Sequence, residues 1–176
     1  KHSPADQIKQ AVGDQVWERY YSFTTVRRPE DRALSLYKYI RDKFEEQQRF
    51  SWRRKLKQSF GIADNLMSWP AMQAFVASAN FSEFVRHQKF LADNGAQPQI
   101  TSLTDASGGM IVDWICRFET LAADFSEVTT HLGLQEAVLK KVNQSAPGEM
   151  RSDLSDDDIA YLLELYAQDN KAFGYA

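Results

Sequence analysis

The residues of this chain best suited to chemistry are an arginine and a serine eight positions apart, Arg27 and Ser35. Arg27 follows the run Tyr20 to Val26, whose aromatic and β-branched composition predicts a buried strand. Pro29 suits the first position of the helix that carries Ser35. A guanidinium at the carboxyl end of a strand and a hydroxyl two helical turns later could together bind a phosphate.

The helix that Pro29 begins has apolar residues at helical spacing, which predicts one buried face with Ser35 pointing away from it. The buried face is expected to contain Ala33, Leu36, Tyr37, Ile40 and Phe44. A purely structural alternative also stays open, in which Arg27 and Arg32 only pair with Glu30 and Asp31 around the helix start.

The same stretch carries a family signature. Val26-Arg27-Arg28-Pro29-x-Asp31-Arg32-x-x-Ser35-x-Tyr37 resembles the V-R-N-P-x-D-R-x-x-S-x-Y motif of the carbohydrate sulfotransferase superfamily, in its bacterial and Golgi membrane-type branch. The Arg and Ser of that motif bind the 3′-phosphate of the sulfate donor, 3′-phosphoadenosine-5′-phosphosulfate (PAPS). The resemblance therefore implies that Arg27 and Ser35 bind PAPS here, although Arg28 replaces the usual Asn.

Three later blocks match the family in the same order, so that the resemblance covers nearly the whole chain. They are Val112 to Phe125, similar to V-D-x-I-x-R-F-E-N-L-x-x-D-F; Leu139 to Ser145, similar to L-x-x-x-N-x-S; and Tyr166 to Tyr175, similar to Y-x-x-D-x-x-x-F-G-Y. The first of these is mainly structural in the family. The second belongs to a segment that closes over the donor, which makes Lys141 and Arg151 candidate phosphate contacts; incidental loop charges are the alternative.

The amino terminus resembles the family as well. Lys1-His2-Ser3-Pro4-Ala5 is similar to K-H-x-x-A, and His2 matches a histidine that acts as general base in some relatives. A solvated terminal histidine is the alternative. The family's loop for the 5′-phosphosulfate, which works like a P-loop, lies before the region of Lys1. No such loop occurs in the sequence, and we expect that the chain lacks that strand and loop.

The resemblance implies an α/β, P-loop-like sulfotransferase fold: a single domain over residues 1–176, with a small parallel sheet flanked by many helices and a helix-rich carboxyl-terminal half. Independent patterns agree with part of this, because a second strand is predicted over Ile111 to Phe118. Helices are predicted over Ser3 to Val12, Ser68 to Ser78, Phe81 to Leu91, Glu119 to His131 and Ser155 to Phe173, and a loop over Asp93 to Gly109.

Composition restricts the function further. The 176 residues have a net charge of −3, which argues against nucleic acid as a main partner. The single cysteine, Cys116, lies in an apolar run and is predicted to be core. No apolar run approaches the roughly 20 residues that span a bilayer. A cytoplasmic location is therefore expected, with membrane association as the alternative.

The expected activity is PAPS-dependent sulfation of a hydroxyl on a carbohydrate or glycoconjugate, with PAPS as co-substrate and no metal. Two alternatives remain: a homologue that binds 3′-phosphoadenosine nucleotides without transferring sulfate, and a helical interaction domain whose Arg-Pro turn is only structural. The sequence does not specify the acceptor or the oligomeric state.

Overall fold

The structure, a computed structural model, describes residues 3–49, 65–134, 137, 139 and 154–175. The chain divides into two compact units. The first comprises residues 1–29, 98–146 and 162–176, and the second comprises residues 30–97 and 147–161. The single-domain organisation stays a prediction.

The first unit contains a two-stranded parallel sheet, as the sequence predicts. Strand β1 is Phe23–Val26 and strand β2 is Trp114–Arg117, paired so that Phe23 faces Trp114 and Val26 faces Arg117. Both strands are shorter than predicted. Tyr20, expected in a covered strand, is 72% exposed.

A side-chain bridge marks the start of the paired region. The carboxylate of Asp113 accepts hydrogen bonds from the backbone N–H of Ser22, at 2.8 Å, and from its hydroxyl, at 2.7 Å. The backbone N–H bond and then the hydroxyl bond hold the pKa of Asp113 below its ordinary value. The carbonyl of Ser22 accepts in turn from the N–H groups of Asp113 and Trp114. This bridge fixes the register before the first strand pair.

A core cluster of the first unit packs against this sheet. Its buried members are Val26, Leu103, Phe173 and Tyr175, with Ile100, Val112 and Ile115 packed against them. Cys116 is fully buried, which confirms the predicted core position, and desolvation raises the pKa of its thiol. Residues from all three chain segments thus meet in one cluster.

The chain is otherwise helical in its described parts, which confirms a helix-rich α/β protein. The helices are α1 Ala5–Val12, α2 Asp14–Trp17, α3 Pro29–Arg49, α4 Pro70–Ala77, α5 Phe81–Arg86, α6 Gln88–Leu91, α7 Leu121–His131, α8 Asp156–Leu165 and α9 Ala167–Phe173. Short 3₁₀ helices cover Asn65–Ser68, Asn94–Ala96, Gln99–Ser102 and Phe118–Thr120. Two of these lie in the predicted loop over Asp93 to Gly109, which is therefore more ordered than its composition suggests.

Two predicted helices are interrupted. The expected helix over Phe81 to Leu91 is wrong because His87 adopts an extended backbone, and its Nδ1 accepts a hydrogen bond from the Lys89 N–H to cap α6. The carboxyl-terminal helix breaks between α8 and α9 at Tyr166, whose φ and ψ are −110° and 29°. Leu163, which helical spacing places on the apolar side of the predicted helix Ser155 to Phe173, is 36% exposed.

The second unit packs around aromatic side chains. The ring of Tyr37 contacts three phenylalanines, at centroid distances of 5.4 Å to Phe75, 5.5 Å to Phe81 and 5.1 Å to Phe84. On α3, Ala33 and Ile40 are buried as predicted, and Leu36, Tyr37 and Phe44 are half-buried. The predicted apolar residues thus lie on the expected face of α3, but three of the five are less buried than predicted.

An ion pair joins two helices of the second unit. The guanidinium of Arg86 donates to the carboxylate of Asp158, which is only 7% exposed, and also to the carbonyl of Asp157 at 3.2 Å. The hydroxyl of Ser155 donates to the same carboxylate at 2.8 Å. Burial opposes ionisation of Asp158, but hydrogen bonds, with that from Arg86 the largest, outweigh it and leave its pKa below the ordinary value.

We expect Asp158→Asn to lower the free energy of unfolding at neutral pH by about 1 to 3 kcal/mol, because Arg86 loses a charged and nearly buried partner. Because the folded-state pKa of Asp158 is depressed, this stabilisation is present above about pH 4 and is lost as the pH falls through the folded-state value. Urea denaturation of both proteins across that range measures it.

The matched control is Asp157→Asn, which removes the same charge from the same helical turn, although only the main-chain carbonyl of Asp157 contacts Arg86. Equal destabilisation by the two substitutions would assign the effect to the helix dipole instead.

Candidate anion-binding site

The register of the sheet determines which residues meet at its carboxyl edge. Val26 pairs with Arg117, so the chain leaves β1 through Arg27 and Arg28 next to the place where it leaves β2 through Phe118 and Glu119. The carboxyl edge of parallel strands is where α/β sheets place ligands. All of these residues belong to the first unit.

The backbone of Arg27 is held at both ends by one side-chain amide. The Oε1 of Gln99 accepts from the Arg27 N–H at 3.0 Å, and its Nε2 donates to the Arg27 carbonyl at 2.8 Å. At the first residue after β1, this amide makes the two main-chain hydrogen bonds that a neighbouring strand would otherwise make. The backbone from which the Arg27 side chain extends is therefore constrained.

A buried carboxylate holds Gln99 in turn. Asp169 has no exposed surface, and its two oxygens accept from the N–H groups of Gln99, at 2.8 Å, and Ile100, at 2.9 Å. These are the first N–H groups of the 3₁₀ helix Gln99–Ser102, which have no partners within that helix. The Asp of the carboxyl-terminal sequence block thus reaches Arg27 through one intermediate residue.

The Arg28 and Arg117 backbones are held in the same way by carboxylates. Glu119 Oε1 accepts from the Arg28 N–H at 2.8 Å, and Asp124 Oδ2 accepts from the Arg117 N–H at 2.6 Å. The other oxygen of Glu119 accepts from the Tyr175 hydroxyl at 2.9 Å. Burial and this hydrogen bond raise the pKa of Tyr175, so its phenol stays protonated and continues to donate.

The three guanidinium groups face aromatic rings instead of carboxylates. The Cζ of Arg27 lies 4.5 Å from the ring centroid of Phe118. The Cζ atoms of Arg28 and Arg117 lie 5.8 Å and 5.7 Å from that of Tyr175. Among the described residues of the first unit, no carboxylate forms an ion pair with any of the three.

Two of the nitrogens are also left without hydrogen bonds. The Nε atoms of Arg27 and Arg28 are buried and have no partner among the residues that the structure describes. A buried N–H without a partner is costly, and it is a group that a ligand can satisfy.

Gly174 permits the approach of Arg117. It ends α9 in the left-handed region with φ +67°, and a Cβ built on it would lie 3.0 Å from Nη2 of Arg117. A side chain at this position would be strained and would displace the guanidinium. The Phe-Gly-Tyr end of the last sequence block therefore supplies a core residue, a close approach and the ring that the two arginines share.

The sequence-predicted site residues are placed as follows. Arg27 lies at this edge, and Ser35 is half-buried on α3 in the second unit. His2, Lys141 and Arg151 lie outside the described residues. The residues that sequence reasoning did not assign to the site are Gln99, Arg117, Glu119, Asp124, Asp169 and Tyr175; all except Gln99 fall inside the matched blocks.

Guanidinium groups arranged in this way could bind an oxyanion. The family model described as Sulfotransferase family matches residues 1–176. The chain belongs to this family. Neither the curated proteins nor the solved structures contain a significant match.

Two further observations concern this sulfotransferase-family chain. Of the helices described, none is long and apolar enough to cross a membrane. In the described residues there is also no group of three or more His, Cys, Asp or Glu side chains that could hold a metal ion. The cytoplasmic location stays a prediction.

We expect Gln99→Leu to lower the free energy of unfolding by about 1 to 3 kcal/mol, because the half-buried N–H and carbonyl of Arg27 both lose their partner. Amide hydrogen exchange at Arg27 should accelerate, since its N–H then lacks an acceptor. Urea denaturation and exchange measured by NMR give the two quantities.

Gln168→Leu, an exposed change on α9, provides the control for added hydrophobicity. Unchanged exchange at Arg27 in Gln99→Leu would show that the side-chain amide does not hold this backbone.

Proposed function

We propose that this chain belongs to a PAPS-dependent sulfotransferase with a P-loop-like fold, which sulfates a hydroxyl of a carbohydrate or glycoconjugate. The observation that carries the proposal is the guanidinium of Arg27, located at the carboxyl end of β1 without an ion pair in the described part of its unit. The family match supports sulfuryl transfer as the reaction class.

In this proposal Arg27 binds the 3′-phosphate of the donor. An arginine donates several N–H groups in a planar arrangement that suits phosphate oxygens. The buried Nε of Arg27 would gain the acceptor that it lacks. Ser35 enters the proposal through the sequence motif alone, as a hydroxyl donor to the same phosphate, and Lys141 and Arg151 enter as further phosphate contacts.

The reaction transfers SO₃ from the donor's 5′-phosphate to the acceptor. The acceptor oxygen forms a bond to sulfur as the bond between sulfur and the phosphate oxygen breaks, and the electron pair of that bond leaves with the phosphate. His2 would take the proton of the acceptor hydroxyl. By analogy with phosphoryl transfer, most of the rate enhancement comes from positioning and charge stabilisation. A firmly bound 3′-phosphate contributes to positioning, because it holds the donor in place.

We expect Arg27→Ala to weaken binding of adenosine 3′,5′-bisphosphate by about 2 to 4 kcal/mol, as for loss of a charged hydrogen-bond donor to phosphate. Calorimetric titration measures the affinity. The control is Arg19→Ala, which removes an exposed positive charge from the same unit. Equal weakening by the two variants would reduce the effect to net charge, and unchanged affinity in Arg27→Ala would remove Arg27 from the site.

In a longer protein that also contains the family's 5′-phosphosulfate loop, we expect His2→Ala to lower turnover about 100-fold or more while bisphosphate affinity is retained, because a general base acts on the acceptor and not on the nucleotide. Initial-rate kinetics with saturating donor, paired with the calorimetric titration, separate the two effects. A variant with full turnover would mean that another residue takes the proton.

A further inference from the structure

The carboxyl edge of the sheet carries more positive charge than one phosphate contact requires. Besides Arg27, the proposed 3′-phosphate residue, it holds the guanidinium groups of Arg28 and Arg117, both near the Tyr175 ring. The whole chain has a net charge of −3, so a group of cations that form no ion pair within the described part of their unit is a local feature.

Two carboxylates at this edge already accept hydrogen bonds from other donors. Glu119 accepts from the Arg28 N–H and the Tyr175 hydroxyl, and Asp124 accepts from the Arg117 N–H and, at 3.1 Å, from the Thr120 hydroxyl. Each carboxylate thus binds the main chain of an arginine, and the guanidinium of that arginine is left for another partner. An arrangement that served only to neutralise the arginines would join carboxylate to guanidinium directly.

The aromatic ring leaves the relevant donors available. A cation–π contact of this kind supplies no carboxylate or carbonyl acceptor for the N–H groups of either guanidinium. Arg28 also keeps a buried Nε without a partner among the described residues, and Gly174 gives Arg117 room at 3.0 Å that a side chain would occupy. Arg28 is thus half-buried, whereas Arg117 is exposed and lies beside Gly174.

These two arginines are distinct from Arg27 in their surroundings. Arg27 lies over Phe118, whereas Arg28 and Arg117 share Tyr175. Arg28 precedes Pro29, which favours an extended backbone at Arg28, and successive side chains of an extended chain point in different directions.

We propose that Arg28 and Arg117 form a second oxyanion site beside Tyr175, for a phosphate or sulfate group other than the 3′-phosphate. This goes beyond the proposed function, which uses Arg27. The group has two sources in sulfuryl transfer: the donor nucleotide, through its 5′ end, or an acceptor that already carries a charged substituent. Both present the same tetrahedral oxyanion to the two guanidinium groups.

The first experiment titrates the full chain with sodium sulfate at constant ionic strength, observing the arginine Nε–H signals by ¹⁵N–¹H NMR. The signals of Arg28 and Arg117, identified by their absence in Arg28→Gln and Arg117→Gln, should shift together. Sulfate affinity at the remaining arginine should fall about tenfold in either variant, because one of two charged donors is lost. Arg19→Gln is the control, with unchanged affinity expected.

The variants should keep their fold because the hydrogen bonds that hold these residues are made by their backbone N–H groups. Arg28→Lys provides a further test, because it keeps the positive charge and should keep part of the affinity for sulfate. Sulfate that shifts only Arg27, or equal affinity in Arg28→Gln, Arg117→Gln and the control, would overturn the proposal.

The second experiment assigns the source. Adenosine 3′,5′-bisphosphate is compared with adenosine 3′-monophosphate, and a sulfated disaccharide with its unsulfated parent, in the same proteins. A tenfold loss confined to the bisphosphate in Arg28→Gln assigns the site to the donor, and a loss confined to the sulfated disaccharide assigns it to the acceptor. If the site responds to inorganic sulfate but Arg28→Gln weakens neither the bisphosphate nor the sulfated disaccharide, the site has no role in the reaction.

These results separate the two proposals. If Arg27→Ala leaves bisphosphate binding unchanged while sulfate still shifts Arg28 and Arg117, the proposed function fails and the second site stands. If Arg27→Ala abolishes bisphosphate binding and sulfate has no effect at Arg28 and Arg117, the proposed function stands and the second site fails.

Discussion

The parallel pairing of β1 with β2 is the interaction on which the candidate site depends. It joins two segments that are 91 residues apart and places the residues after Val26 beside those after Arg117. Two short strands alone form a marginal sheet. Side chains supply the remaining stability: Asp113 binds Ser22 before the strands, and Gln99 and Glu119 bind the main chain after them. The sheet is thus held at both ends by polar groups and packs against the core cluster.

Local patterns predicted most of the secondary structure. Aromatic and β-branched runs located both strands, and the proline at the start of α3 located that helix to the residue. The failures occur where a tertiary or capping interaction overrides periodicity. His87 fits a helical pattern, but its imidazole caps the next helix instead. Leu163 fits the buried stripe, but the helix ends at Leu165 and the chain changes direction at Tyr166.

Of the three arginines at the candidate site, only Arg27 was predicted as a ligand contact, because the motif around it is contiguous in sequence. Its supporting residues could not be found in this way. Gln99 lies in a polar, glycine-containing stretch that predicts a loop, and nothing in its neighbours indicates that its amide binds Arg27. Asp169 and Tyr175 lie in a recognised block, yet their roles arise from contacts with residues 70 and 56 positions away. Such long-range hydrogen bonds have no local signature.

The separation between the strands also has a consequence for the order of folding. The pairing of Val26 with Arg117 requires closure of a long loop, whose entropic cost must be met before the contacts at the edge contribute. The helices, in contrast, form through contacts between near neighbours. The grouping of the three arginines is therefore a late product of folding, completed when the carboxyl-terminal Tyr175 joins the core cluster. During synthesis, their positive charges would remain apart along the chain until Tyr175 had emerged.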